Sequence, residues 1–130
     1  MTPQSAKAKG RRLQQEVADN LVAACGGVLE LDDIRSTSMG AGGEDILLSP
    51  LARKIYPFNI ECKNVEKINI WAAIKQAEEH GKYNPLVCFK RNGEEIYVTL
   101  KLQDLLDLYN YNWNPNLGID VLSKRAKSGI

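Results

Sequence analysis

An α/β fold, a mixed central β-sheet flanked by helices in the order α-β-β-β-α-β-β-α, is what three observations predict for this 130-residue chain. Apolar residues recur at helical spacing in three places, and short β-like runs lie between them. Gly and Pro mark the joints. Hydrophobic residues make up 44% and charged residues 25% of the chain, the balance of a globular protein with one ordinary core. The length suits a single domain, and no internal repeat or low-complexity tract argues otherwise.

Taken in order, Ser5 to Cys25 reads as a helix with Leu13, Val17, Leu21 and Ala24 as its apolar stripe, stopped by Gly26 and Gly27. Val28 to Arg35 suits a strand, and residues 36–43 a polar loop rich in Ser and Gly. Asp45–Ser49 and Phe58–Lys63 are the next strands, with Pro50 and Pro57 punctuating their connection. Asn69 suits an N-cap for a helix from Ile70 to His80, its apolar stripe being Ile70, Trp71, Ile74 and Ala77 and its stop Gly81. Trp71 is thus expected in the core. Pro85–Lys90 and Glu95–Leu100 are strands around the turn signal Asn92-Gly93. Leu102, Leu105, Leu106 and Tyr109 mark a last helix. The domain is read as residues 1–110, and 111–130 as a C-terminal tail, extended or partly disordered, with Trp113 packing within it.

Several function classes are excluded. No apolar run is long enough to span a bilayer, and the first residues lack the apolar stretch of a signal peptide, so a cytoplasmic protein with no membrane partner is expected. Cys25, Cys62 and Cys88 are odd in number and widely spaced, which suits reduced, buried thiols. A zinc site would need paired ligands at short spacing, and the one histidine, His80, supplies none; at a helix C-terminus it suits a favourable dipole partner. The net charge of +1 announces no polyanion binder by itself. Lys7, Lys9, Arg11 and Arg12 precede any acidic residue, however, and Lys124, Arg125 and Lys127 close the chain. Basic ends either steer a polyanion to one face or are simply solvated termini.

The chemistry concentrates between Gly43 and Lys63. Side chains alternate faces along a strand, so Glu61 and Lys63 point one way and Ile60, Cys62 and Asn64 the other. Charges among apolar neighbours cost free energy unless they are paired or bind a metal. Asp45, opening the neighbouring strand, can lie beside Glu61, and a divalent cation would relieve the repulsion between the two carboxylates. Oxygen ligands select a hard ion, Mg2+ with Mn2+ able to substitute. A site of this kind suits phosphodiester hydrolysis, with Lys63 orienting the attacking water or offsetting charge on the phosphate. The bland alternative is a Glu-Lys pair on a strand edge, which contributes little.

These residues resemble the PD-(D/E)xK nuclease superfamily. Glu44-Asp45 stands where the Pro-Asp usually sits, and Glu61-Cys62-Lys63 is the (D/E)xK half. The wider pattern is similar to archaeal and phage Holliday-junction resolvases: a basic first helix with Glu16, Arg35 and a Ser-rich loop, then Asp45 and IECK. The stretches DIRSTSMGAGGEDILLSP, FNIECKN and NIWAAIKQAE look like phage-encoded nucleases of this class. The similarity runs from about Lys9 to Leu106.

The resemblance implies a restriction-endonuclease-like core and a metal-dependent DNA endonuclease, with Asp45 and Glu61 as metal ligands and Lys63 as the catalytic lysine. Glu16 either leans towards the site, helping to hold a metal or its water, or faces solvent. Lys9, Arg11, Arg12, Arg35, Ser36, Ser38 and Gln76 are the candidate DNA contacts. The segment around Ser36, Thr37 and Ser38 suits a phosphate backbone or a flexible surface loop. Many relatives carry a glutamine on the helix of Gln76 with an aromatic one turn later, where this chain has His80. A four-way junction is the implied substrate, a 5′-phosphate and 3′-hydroxyl the implied products, and a homodimer the implied assembly. The rival readings are a general or nicking phage DNA-processing nuclease and a non-catalytic DNA-binding protein on the same fold.

Overall fold

A computed structural model of the chain describes residues 2–37 and 44–112, the last two in backbone only. The fold is mixed α/β and divides into two units after Thr99, ahead of the boundary expected at residue 110. Among the described residues, no helix is long and apolar enough to cross a membrane.

The first unit opens with α1, Pro3–Ala23. It begins earlier than the apolar stripe suggests because Thr2 caps it, its side chain accepting from the Ser5 N–H at 3.1 Å, with Pro3 as the first helical residue. Gly26 and Gly27 end the run at φ of 59° and 94°, a region that side chains with a Cβ rarely occupy. The buried face is Leu13, Gln14, Val17 and Ala18. It is rotated away from Ala24, which is exposed.

The strand expected over Val28–Arg35 is mostly something else. The Glu30 N–H donates to Asp33 Oδ2 at 2.8 Å and the Asp33 N–H to Glu30 O at 3.0 Å. These bonds wind Leu31–Asp33 into a 3-10 turn, since an Asp side chain offers the backbone a local partner in place of a neighbouring strand. Strand β1 is therefore only Ile34–Ser36. It pairs antiparallel with β2, Ile46–Leu48, with Ile34 opposite Leu48 and Ser36 opposite Ile46. Ile34 and Ile46 turn inward, while Arg35 and Leu47 are exposed.

A helix absent from the expected order follows. In α2, Pro50–Ile55, Ser49 is the cap, accepting from the Ala52 N–H at 3.1 Å, and Pro50 is the first helical residue rather than a break. The Ser49 hydroxyl also donates to Asp33 Oδ1 at 2.7 Å, tying this corner to the 3-10 turn. The backbone bond from Glu30 and the bond from Ser49 hold the Asp33 carboxyl below its ordinary range.

Strand β3, Phe58–Asn64, leads through α3, Ile70–Glu79, to β4, Asn84–Lys90, which lies parallel to β3 with Glu61 opposite Val87 and Cys62 opposite Cys88. Strand β5, Tyr97–Leu100, adds to the far side of β4. A connection of six residues is too short for a parallel crossover, so this three-stranded sheet is mixed. Asn69 caps α3, accepting from the Ala72 N–H at 3.1 Å. Ala73 and Ala77 press on Val87 with Ile70 and Ile74 at their flank. Trp71, expected in the core, is 77% exposed: the small alanines, not the indole, make the face that approaches the sheet.

The strands form two sheets, β1-β2 and β3-β4-β5, rather than a single central one. The Cys62 N–H is one reason. It donates to the Asp45 side chain at 2.8 Å instead of to a neighbouring strand. Both α1 and α3 pack on β3, so Phe58 to Cys62 are all buried. The second unit carries α4, Leu102–Asn112, which runs two residues into the expected tail. The rest of that tail, Trp113 included, lies outside the described residues.

Candidate active site

Alternation along β3 sends Asn59, Glu61 and Lys63 to one face. The contacts of the first two show what that face meets. Asn59 is fully buried and its Nδ2 donates to Ala77 O at 3.1 Å and Tyr83 O at 3.0 Å, clamping the end of α3 and the turn after it onto the strand. Glu61, 1% exposed, has Oε2 at 3.0 Å from His80 Nε2, at the C-cap of α3.

Asp45 arrives from just before β2 and is held at three points. Its Oδ2 accepts from the Cys62 N–H, and its carbonyl accepts from the Thr37 N–H at 3.0 Å and the Thr37 hydroxyl at 3.2 Å. The Cys62 bond sets the Asp45 carboxyl beside Glu61, close enough for the two to interact. Burial first, then the bond to Asp45 and its charge, push Glu61 up to about 9, against the opposing pull of Lys63. Without a metal, the pair therefore holds a proton at neutral pH. This is chemistry a cation can replace, since it relieves the same repulsion.

The donor set fits Mg2+ or Mn2+. Magnesium is commonly bound by one or two carboxylates and keeps several waters. Among the described residues, no three His, Cys, Asp or Glu side chains gather as a ligand group. Asp45 and Glu61 are the candidates to hold such an ion, and Glu16 is not brought to them. It is exposed on α1, where Gln14 turns inward instead.

The other expected contacts are scattered. Arg11 and Arg12 are exposed on α1 and Lys9 is half-buried there. The Ser36 hydroxyl donates to Gln15 Oε1 at 3.1 Å, joining β1 to the α1 edge one turn past Arg11 and Arg12. Arg35, next to Ser36 on β1, points to the opposite face and into solvent. Gln76 is exposed on α3, and it is His80, one turn later, that reaches Glu61. Ser38 and the glycines after it lie outside the described residues. Thr37 serves Asp45, so the near end of that loop is spent on positioning.

Two features had little signal in the sequence. Arg53, from α2, forms an ion pair with Glu44, donates to Phe58 O at 2.8 Å, and lies over the Tyr83 ring at 4.7 Å. The residue beside Asp45 is thereby anchored to the start of β3. Gly81 permits a close approach, since a Cβ there would lie 3.2 Å from Asn59 Oδ1 and 3.4 Å from Glu44 Oε1. The cysteines are free thiols, with Cys62 and Cys88 buried and Cys25 half-buried. A hydrogen bond to Cys88, then burial, and then the carboxylates nearby push the Cys62 thiol far up, so it is no nucleophile.

Compared with known protein families, curated proteins and solved structures, the chain finds no match.

Proposed function

We propose that this protein is a Mg2+-dependent DNA endonuclease of the PD-(D/E)xK type, with Asp45, Glu61 and Lys63 at its catalytic centre. The observation that carries the reading is that the Cys62 N–H holds the Asp45 carboxylate at 2.8 Å, directly beside Glu61, which is 1% exposed, while Lys63 shares the Glu61 face of β3. A buried carboxyl set beside a half-buried one has a high free-energy cost if it serves only the fold, whereas a hydrolytic metal site needs such a pair.

A bound divalent cation would polarise the scissile phosphate and make a water more acidic. Asp45 and Glu61 would hold it, Asp45 fixed by the Cys62 and Thr37 bonds. Lys63, on the Glu61 face of β3, would bring positive charge to the phosphate as negative charge develops there. The basic edge of α1, Arg11 and Arg12 with Lys9, would contact the DNA backbone, which positions a strand without reading its sequence. The proposed substrate is a four-way junction, cut to 5′-phosphate and 3′-hydroxyl ends in the cytoplasm of a phage-infected cell. A homodimer would offer two sites about a two-fold axis.

The experiment is a comparison of labelled four-way junction, linear duplex and single strand, each with Mg2+ and with a chelator. Mg2+-dependent cutting confined to the junction is the expected result. Equal cutting of all three would discard the junction preference, and tight junction binding without cutting would favour a DNA-binding protein that has lost catalysis.

A further inference from the structure

The carboxylate pair has a third neighbour, supplied by α3. We propose that His80 is a positioning residue of the site: its Nε2, 3.0 Å from Glu61 Oε2, fixes the buried carboxylate in the orientation in which Glu61 and Asp45 together hold a divalent cation. The inference rests on the metal-site reading above and names a residue that reading does not use.

Three observations support it. His80 is itself held in place, since its backbone N–H donates to Ala77 O at 3.3 Å to close α3. The Ala77 carbonyl is also one of the two that Asn59 grips from β3, two residues before Glu61 on the same face. Strand and helix end are thus held together, which fixes the His80 backbone beside Glu61. Finally, the exposures differ: the His80 side chain is 16% exposed and that of Glu61 1%. Both side chains are nonetheless mostly shielded from water, so their bond meets little solvent competition and limits rotation of the carboxylate. Groups that hydrogen-bond to a metal's carboxylate ligands fix their orientation, and their loss typically weakens metal binding by 10–100-fold.

The test is calorimetric titration of the full chain with Mg2+ and with Mn2+ alone, for the wild type, His80→Ala, His80→Gln and Asp45→Ala, with thermal melts in chelator beside them. His80→Ala is expected to weaken binding by about ten-fold or more. His80→Gln, whose amide can place a nitrogen near the same point, is expected to recover most of that loss at an unchanged metal-free melting temperature. Asp45→Ala should bind no metal. If His80→Ala loosens the fold, His80→Leu against His80→Gln makes the same comparison with bulk retained. Wild-type affinity in both His80→Ala and His80→Leu would overturn the inference while leaving the metal site standing. A wild-type chain that binds neither ion would overturn the metal site and the inference with it.

Discussion

Replacing Glu61 by Gln should stabilise the metal-free protein, and by an amount that grows with pH. In the unfolded chain this carboxyl titrates near its ordinary value of 4.5, and in the fold at about 9. Below the lower value both states hold the proton and the fold loses nothing. Between the two, the unfolded chain releases its proton while the folded chain keeps it, so stability falls as pH rises, with a limiting slope of about 1.4 kcal/mol per pH unit. The Glu61→Gln amide has no proton to lose and can still bond to Asp45 and His80. The difference between variant and wild type should therefore be near zero at about pH 4 and reach on the order of 2 kcal/mol at about pH 8, after allowing for relaxation and water near the pair. Urea melts of both proteins in chelator, at several pH values, measure this directly, and taking the difference removes other titrating groups. A wild-type stability that holds level or rises relative to the variant across this window would mean that Glu61 is ionised against His80. The shared-proton account would then be wrong.

Three further outcomes follow from the same geometry. Mg2+ should raise the melting temperature more at high pH than at low, because binding must displace the shared proton; calorimetry in two buffers of different ionisation enthalpy should detect proton release. Lys63→Ala should abolish cleavage while Mg2+ affinity, read by titration, stays within a few-fold of wild type, since the lysine is proposed to act on the phosphate rather than on the ion. Asn59→Ala should cost about 1–3 kcal/mol in urea melts through the loss of two buried hydrogen bonds. It should also speed amide exchange at the end of α3, where Ala77 and Tyr83 are held.

The fold was legible where local pattern and tertiary packing agree. Strand β3 and helix α3 lie within a residue or two of their expected ends because their apolar spacing, the Asn69 cap and Gly81 all point the same way. It was illegible where a side chain competed with the backbone. Asp33 converts an expected strand into a turn, and Ser49 with Pro50 converts an expected break into a short helix.

The same division holds at the site. The common face of Glu61 and Lys63 follows from strand alternation alone, whereas Asp45 reaches β3 from a separate sheet through its bond to the Cys62 N–H. His80 and Arg53 reach the site from elsewhere in the chain, through contacts 19 and 9 residues apart, and Asn59, on the strand itself, grips a carbonyl 18 residues away; no local pattern marks such pairs. Of the two readings open for Glu16, packing selects solvent: the buried face of α1 runs through Leu13, Gln14, Val17 and Ala18 and leaves Glu16 exposed.

Single-turnover cleavage of an end-labelled four-way junction tests most directly whether Asp45, Glu61 and Lys63 form the proposed metal-dependent nuclease centre. The wild type should cut only with Mg2+ or Mn2+ present and leave 5′-phosphate ends, and Asp45→Asn and Lys63→Ala should each lose at least about a hundred-fold in rate. Cutting that persists in chelator, or at the wild-type rate in Asp45→Asn, would contradict it.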